Sequence, residues 1–212
     1  MAFFDRAVRP YFDKHFFEVL AEKVDAAFAA SHFKAEHGAI ALPSQIAYAR
    51  GSERYFSVQR AVMEAAVEFG AEEVEARAGT FPLPLARHRR FLVATSITDS
   101  LEHLRRSKAR RALAGLNMPL EPEQLDFWKK APRSAQASLF GMILIAKGAP
   151  GSILPAGVFF GVPTSSLRSW HFYENILDLV NRYESKPLAA PKRMAPRLRA
   201  TPKSAMQVKD QK

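Results

Sequence analysis

Between Arg87 and Arg111, eight Lys and Arg side chains stand against two carboxylates, Asp99 and Glu102. The same bias returns in residues 186–212, where eight cations accompany the single acid Asp210. Guanidinium groups make bidentate contacts with phosphate, and each neutralised phosphate releases condensed counterions, so this chemistry suits a polyanion backbone. The first block has two halves: Arg87, His88, Arg89 and Arg90 in a turn-rich connection, and Arg105, Arg106, Lys108, Arg110 and Arg111 on an expected helix. At about 100° per residue, His103, Arg106, Arg110 and Arg111 fall opposite Leu101, Leu104, Ala112 and Leu116, whereas Arg105 and Lys108 fall within the apolar arc. The candidate nucleic-acid-binding residues are therefore Arg87, Arg89, Arg90, Arg106, Arg110 and Arg111, joined by Lys192, Arg193, Arg197 and Arg199 from the tail. A solvated face whose cations are answered by Glu72, Glu73 and Glu75 would use the same residues without a partner. The tail has no aromatic side chain on which a base could stack, so it is expected to act through charge alone.

Catalytic patterns are sparse. No two of His15, His32, His37, His88, His103 and His171 share the three- or four-residue helical spacing of a metal site, and His32, Glu36 and His37 come nearest. The run Lys147-Gly148-Ala149-Pro150-Gly151-Ser152 has the glycines of a phosphate loop without its Lys-Ser/Thr ending. Glu64, Glu68, Glu72, Glu73 and Glu75 could serve a metal-dependent nuclease, but Arg77 stands where such a site wants Lys. The sequence calls for neither a metal nor a cofactor. An enzyme on an anionic small substrate, its pocket drawing on Tyr48, Arg50 and Trp170, is one alternative; an adaptor presenting Phe127 and Trp128 is another.

The charge that suggests these readings is local. Of 212 residues, 31 are Lys or Arg and 21 Asp or Glu, a formal net charge of +10, yet residues 1–86 carry 9 cations and 12 acids. Nearly half the chain is apolar, too much for a disordered protein, and the absence of Cys excludes a disulfide scaffold, a cysteine zinc site or a thiol nucleophile. The N-terminus lacks the apolar run of a secretory signal, so a cytoplasmic location is expected. From Ser138 to Pro163 the only charge is Lys147, but five glycines and three prolines divide the stretch into two runs of strand length, which argues against a membrane span.

The elements that must carry the cations follow from periodicity. Phe4, Val8, Phe12, Phe16, Leu20, Val24 and Phe28 recur every fourth residue and predict a long amphipathic helix, entered near Pro10. A short helix from Gln45 is expected to close at Gly51, and a second from Ser52 to end at Gly70. Residues 72–77 and 90–98 read as strands joined by the connection GTFPLPLARHR, and Asp99 as the cap of the basic helix. Residues 138–147 and 153–162 read as a second strand pair, and 165–184 as the last helix, with Leu167, Trp170, Tyr173, Leu177, Val180 and Tyr183 on one side. A helix-turn-helix drawn on 154–170 competes with the strand reading. The expected architecture is α+β: an antiparallel sheet of about four strands in two hairpins, packed with three to four helices over residues 1–185. The tail 186–212, with four prolines and a net +7, is expected to be disordered.

Overall fold

The computed structural model describes residues 3–37, 43–77, 82–99, 106–121, 138–149 and 151–184. The tail, including Lys192, Arg193, Arg197 and Arg199, lies outside them, as do Arg105, Phe127 and Trp128.

Three helices lead the chain: α1 (Phe3–Ala7), α2 (Lys14–His37) and α3 (Pro43–Glu68). The break around Pro10 ends where the Asp13 carboxylate accepts the Phe16 amide at 2.7 Å and so caps α2. Every member of the four-residue stripe from Phe4 to Phe28 is buried. Gly51 does not end a helix; it sits inside α3, which runs unbroken to Glu68. A glycine there costs about 1 kcal/mol relative to Ala. The burial of Val58, Val62, Ala65 and Ala66 further along the same helix outweighs it. Gly70, at φ 80°, closes α3 with the left-handed turn that only glycine adopts freely.

The sheet has six strands in the order β1 (Glu72–Arg77), β2 (Pro82–His88), β3 (Phe91–Thr98), β4 (Leu139–Ala146), β5 (Gly157–Pro163) and β6 (Trp170–Asn175). The α+β class holds, but two further strands appear and the sheet is mixed: β3 and β4 run parallel, and all other neighbours are antiparallel. The chain passes from β3 to β4 through α4 (Lys108–Ala114) and a 3₁₀ turn (Gly115–Leu120), a crossover of the length that a parallel pair requires.

β2 occupies the connection expected to be a loop. Its prolines, Pro82 and Pro84, lie opposite β1 but beyond the Leu85–His88 stretch that pairs with β3, so neither interrupts that second ladder. β6 replaces the first turns expected of the last helix, because Phe172 and Tyr173 pair with Val162 and Gly161 along the open edge of β5. The final helix, α5 (Ile176–Glu184), starts only after Asn175 accepts the Leu177 amide. The β5 ladder also overturns the helix-turn-helix reading of 154–170.

With α4, this makes five α-helices among the described residues. α1, α2, α3 and α5 cover one sheet face through a core that includes Phe17, Leu20, Phe28, Phe91, Ile143 and Phe160. On the other face Leu85, Ala94, Phe140, Met142 and Leu144 pack against Ala114 and Leu167. β4 is buried on both faces along its whole length, which accounts for its uninterrupted apolar sequence. Among the described residues no helix is long and apolar enough to cross a membrane.

Candidate functional site

The β2–β3 turn is a cationic corner held by side-chain hydrogen bonds. Arg89 adopts φ 52°, a left-handed conformation that a non-glycine side chain rarely takes. Three successive side chains hold the turn against the loop before α2. Arg89 Nη1 donates to the Pro10 carbonyl at 2.8 Å, His88 Nε2 to the Tyr11 carbonyl at 2.9 Å, and Arg90 Nη1 to the Tyr11 hydroxyl at 3.2 Å. The Arg90 guanidinium also lies 5.5 Å from the centre of the Tyr11 ring. Arg87 and Arg89 are exposed and Arg90 is half-buried. The nearest carboxylate to Arg87 belongs to Glu72, at 3.8 Å, with both side chains solvated, a pair worth little in energy.

Beside this turn, Arg9, Asp13, His88 and Arg89 line a small polar recess of about 120 Å³. Arg9 pairs with Asp5 at 3.4 Å and donates to the Tyr183 carbonyl. Since Nε2 of His88 serves a carbonyl, the neutral ring carries its lone pair on Nδ1, which is buried without a hydrogen-bond partner among the described residues. Burial beside the rings of Phe12 and Phe16 lowers the His88 pKa from its ordinary value, and the Arg89 charge adds to the shift. Among the described residues lining the recess there is no Ser, Thr, Cys or Lys, and the Asp13 carboxylate is engaged in capping α2. The chemistry on offer is anion contact through guanidinium groups.

The second half of the basic block lies elsewhere. Ser107 Oγ accepts the Arg110 amide at 3.2 Å, so α4 starts at Lys108 and not at Asp99, which follows the last residue of β3 and pairs with Lys147 at 2.9 Å. This later start turns the helix relative to the expected wheel. Ala109, Arg110 and Ala114 face inward, while Arg106, Lys108, Arg111 and Ala112 are exposed. Arg110 is therefore removed from the cationic surface: it is 9% exposed, with Nη2 donating to Ser96 Oγ at 3.1 Å. From Arg90 to Ser96 is six residues of strand, about 20 Å. The block is two surfaces toward opposite ends of β3.

No protein-family model, curated protein or solved structure matches the chain.

Other candidate groups do not assemble. Among the described residues no three His, Asp or Glu side chains could hold a metal ion together. Glu64, Glu68 and Glu73 share a groove between α3 and the first two strands, whereas Glu72 leans toward Arg87. Tyr48 is exposed on α3, far in the fold from Trp170, which lies among Phe159 and Tyr173 on the other sheet face. That aromatic row rests on glycine. A Cβ at Gly161 would come within 2.5 Å of the Trp170 ring, and one at Gly157 within 2.9 Å of Phe159. Burial pushes the Tyr173 hydroxyl pKa up to about 12. Arg9, Tyr11 and Asp13 were not legible as site residues, because their link to Arg89 and Arg90 spans almost eighty positions and leaves no local pattern.

Proposed function

We propose that the protein is a noncatalytic cytoplasmic module that binds the phosphate backbone of nucleic acid, or a similar polyanion, through the β2–β3 turn with help from the basic tail. The observation that carries this reading is the exposure of Arg87, near the end of β2, beside Arg89 on a turn tied to the loop before α2. Anchoring the turn removes much of the ordering cost that long cationic side chains ordinarily bring to binding. Arg106, Lys108 and Arg111 form a separate surface that a long duplex would reach only by spanning the sheet.

Binding to a random DNA or RNA duplex across a salt series tests the reading. Engagement of Arg9, Arg87, Arg89 and Arg90 alone gives a log-log slope of about −3 to −4, steepened by each tail contact. The pair Arg87→Glu and Arg89→Glu should weaken binding and flatten that slope, whereas Arg106→Glu with Arg111→Glu should change it less. A slope near zero in the parent chain, or no effect of the turn pair, removes the proposal.

A further inference from the structure

A groove of about 650 Å³ lies between α3 and the β1–β2 edge of the sheet. Its floor is apolar, formed by Phe56, Met63, Val67 and Pro84, and Phe56 and Val67 remain 65% and 49% exposed. Carboxylates of Glu64, Glu68 and Glu73 stand along it against one cation, Arg60. Arg60 is engaged with Glu64 at 2.7 Å and Lys23 with Glu68 at 3.2 Å, while Glu73 has no ion-pair partner among the described residues. An occupant suited to this surface is cationic with interspersed apolar side chains.

The tail of the same chain has that composition, with Met194 and Leu198 set among Arg193, Arg197 and Arg199. The position of α5 brings it near. Glu184, the last residue of α5, pairs with Lys14 at the start of α2 at 2.8 Å. One residue on, the His15 ring packs on Phe69 just past the end of α3, 5.5 Å between centres. With α2 between α5 and α3, the tail must cross two helix spacings, about 18 Å. Arg193 and Arg199 lie 9 and 15 positions past Glu184, a random-coil reach of about 15 to 23 Å, which matches that span. At that span the local concentration of tail is on the order of millimolar, enough for a weak contact to be substantially occupied.

We propose that residues 186–212 dock in the α3–β1–β2 groove of their own chain when no polyanion is bound. Arg193, Arg197 and Arg199 meet the carboxylates of the rim, and Met194 and Leu198 cover Phe56 and Val67. The prolines limit strand pairing along β1, so side chains carry the contact. Polyanion and groove then compete for the same tail cations.

The chain has no native cysteine, so Met194→Cys accepts a single nitroxide label in the full-length protein. In the absence of nucleic acid, amide resonances of Met63, Val67 and Glu73 should lose intensity by about twofold or more, consistent with a millimolar local concentration. The loss should fade at 1 M salt, where screening is nearly complete, and with Glu64→Lys plus Glu73→Lys. A mixture of isotope-labelled chain without the nitroxide and nitroxide-labelled chain without isotope separates contact within one chain from contact between two. Uniform intensities, losses centred elsewhere, or losses seen equally in the mixture overturn the proposal. Polyanion binding is scored separately by its salt slope, so either reading can fail alone.

Discussion

Asn117 completes the β4–β5 ladder opposite Pro163. The register that pairs Met142 with Gly161 brings Phe140 opposite Pro163, where the proline has no N–H to offer. The Asn117 amide, fully buried on the 3₁₀ turn, supplies what is missing. Its Nδ2 donates to the Phe140 carbonyl at 2.9 Å and to the Pro163 carbonyl at 2.7 Å, while Oδ1 accepts the Phe140 amide at 2.8 Å. One side chain thus ties the crossover to the start of one central strand and the end of the next.

Asn117→Leu should therefore destabilise the protein by roughly 2 to 4 kcal/mol, since it leaves buried backbone groups without their partner. Urea unfolding followed by circular dichroism measures the loss. A change within about 0.5 kcal/mol, the scale of a surface substitution, would mean that other groups or water satisfy the strand ends.

Two glycine substitutions should have opposite signs. Gly161→Ala places a methyl group against the Trp170 ring and should cost about 1 to 3 kcal/mol through the displaced indole. Gly51→Ala meets nothing within 4 Å inside α3 and should stabilise by up to about 1 kcal/mol. Midpoints from the same denaturant titration compare them directly.

Arg110 and Arg111 are neighbours with different work. Arg110→Ala removes a buried contact to Ser96 and should cost about 1 to 3 kcal/mol, whereas exposed Arg111→Ala should stay within about 0.5 kcal/mol. Equal stabilities for the two variants would contradict the inward turn of α4.

Stability should fall with acid in the range set by histidine. Burial holds His88 and His171 below the ordinary value near 6.5, so the unfolded chain takes up these protons first as pH drops. Their contribution is complete above about 6.5 and is lost progressively below it, toward their depressed folded values. Unfolding midpoints between pH 7.5 and 5.5 should decline. His88→Gln, whose amide can still donate to Tyr11, should make the decline shallower and leave the His171 part.

The helical layer was readable because its signal is periodic: Phe12, Phe16, Leu20, Val24 and Phe28 each fall on the buried side. β4 was readable because burial on both faces demands a continuous apolar run. β2 was hidden by prolines that suggest a loop. β6 was hidden because the spacing of Leu167, Trp170, Tyr173 and Leu177 fits a helix, and only the open edge of β5 selects the strand. The cationic block was visible as composition, but its division was not. The phase of α4 depends on Ser107 as cap and on Ala109 and Ala114 against the sheet, and one shifted start rotates every arginine.

The lone parallel pair also shapes how this chain can reach its native state. β1, β2 and β3 follow one another in space as they do in sequence, and so do β4, β5 and β6, so the sheet consists of two local meanders. Joining them requires Phe91 to find Leu139, a closure of 48 residues, whereas the β4–β5 hairpin closes 11 between Ala146 and Gly157. The fourfold longer loop adds only about 1.2 kcal/mol of closure entropy, yet it makes the central seam the most non-local strand pairing in the sheet. Assembly of two preformed halves along β3 and β4 is the route this topology favours, and a backbone nick in the crossover would leave two fragments whose strands recognise each other at that seam.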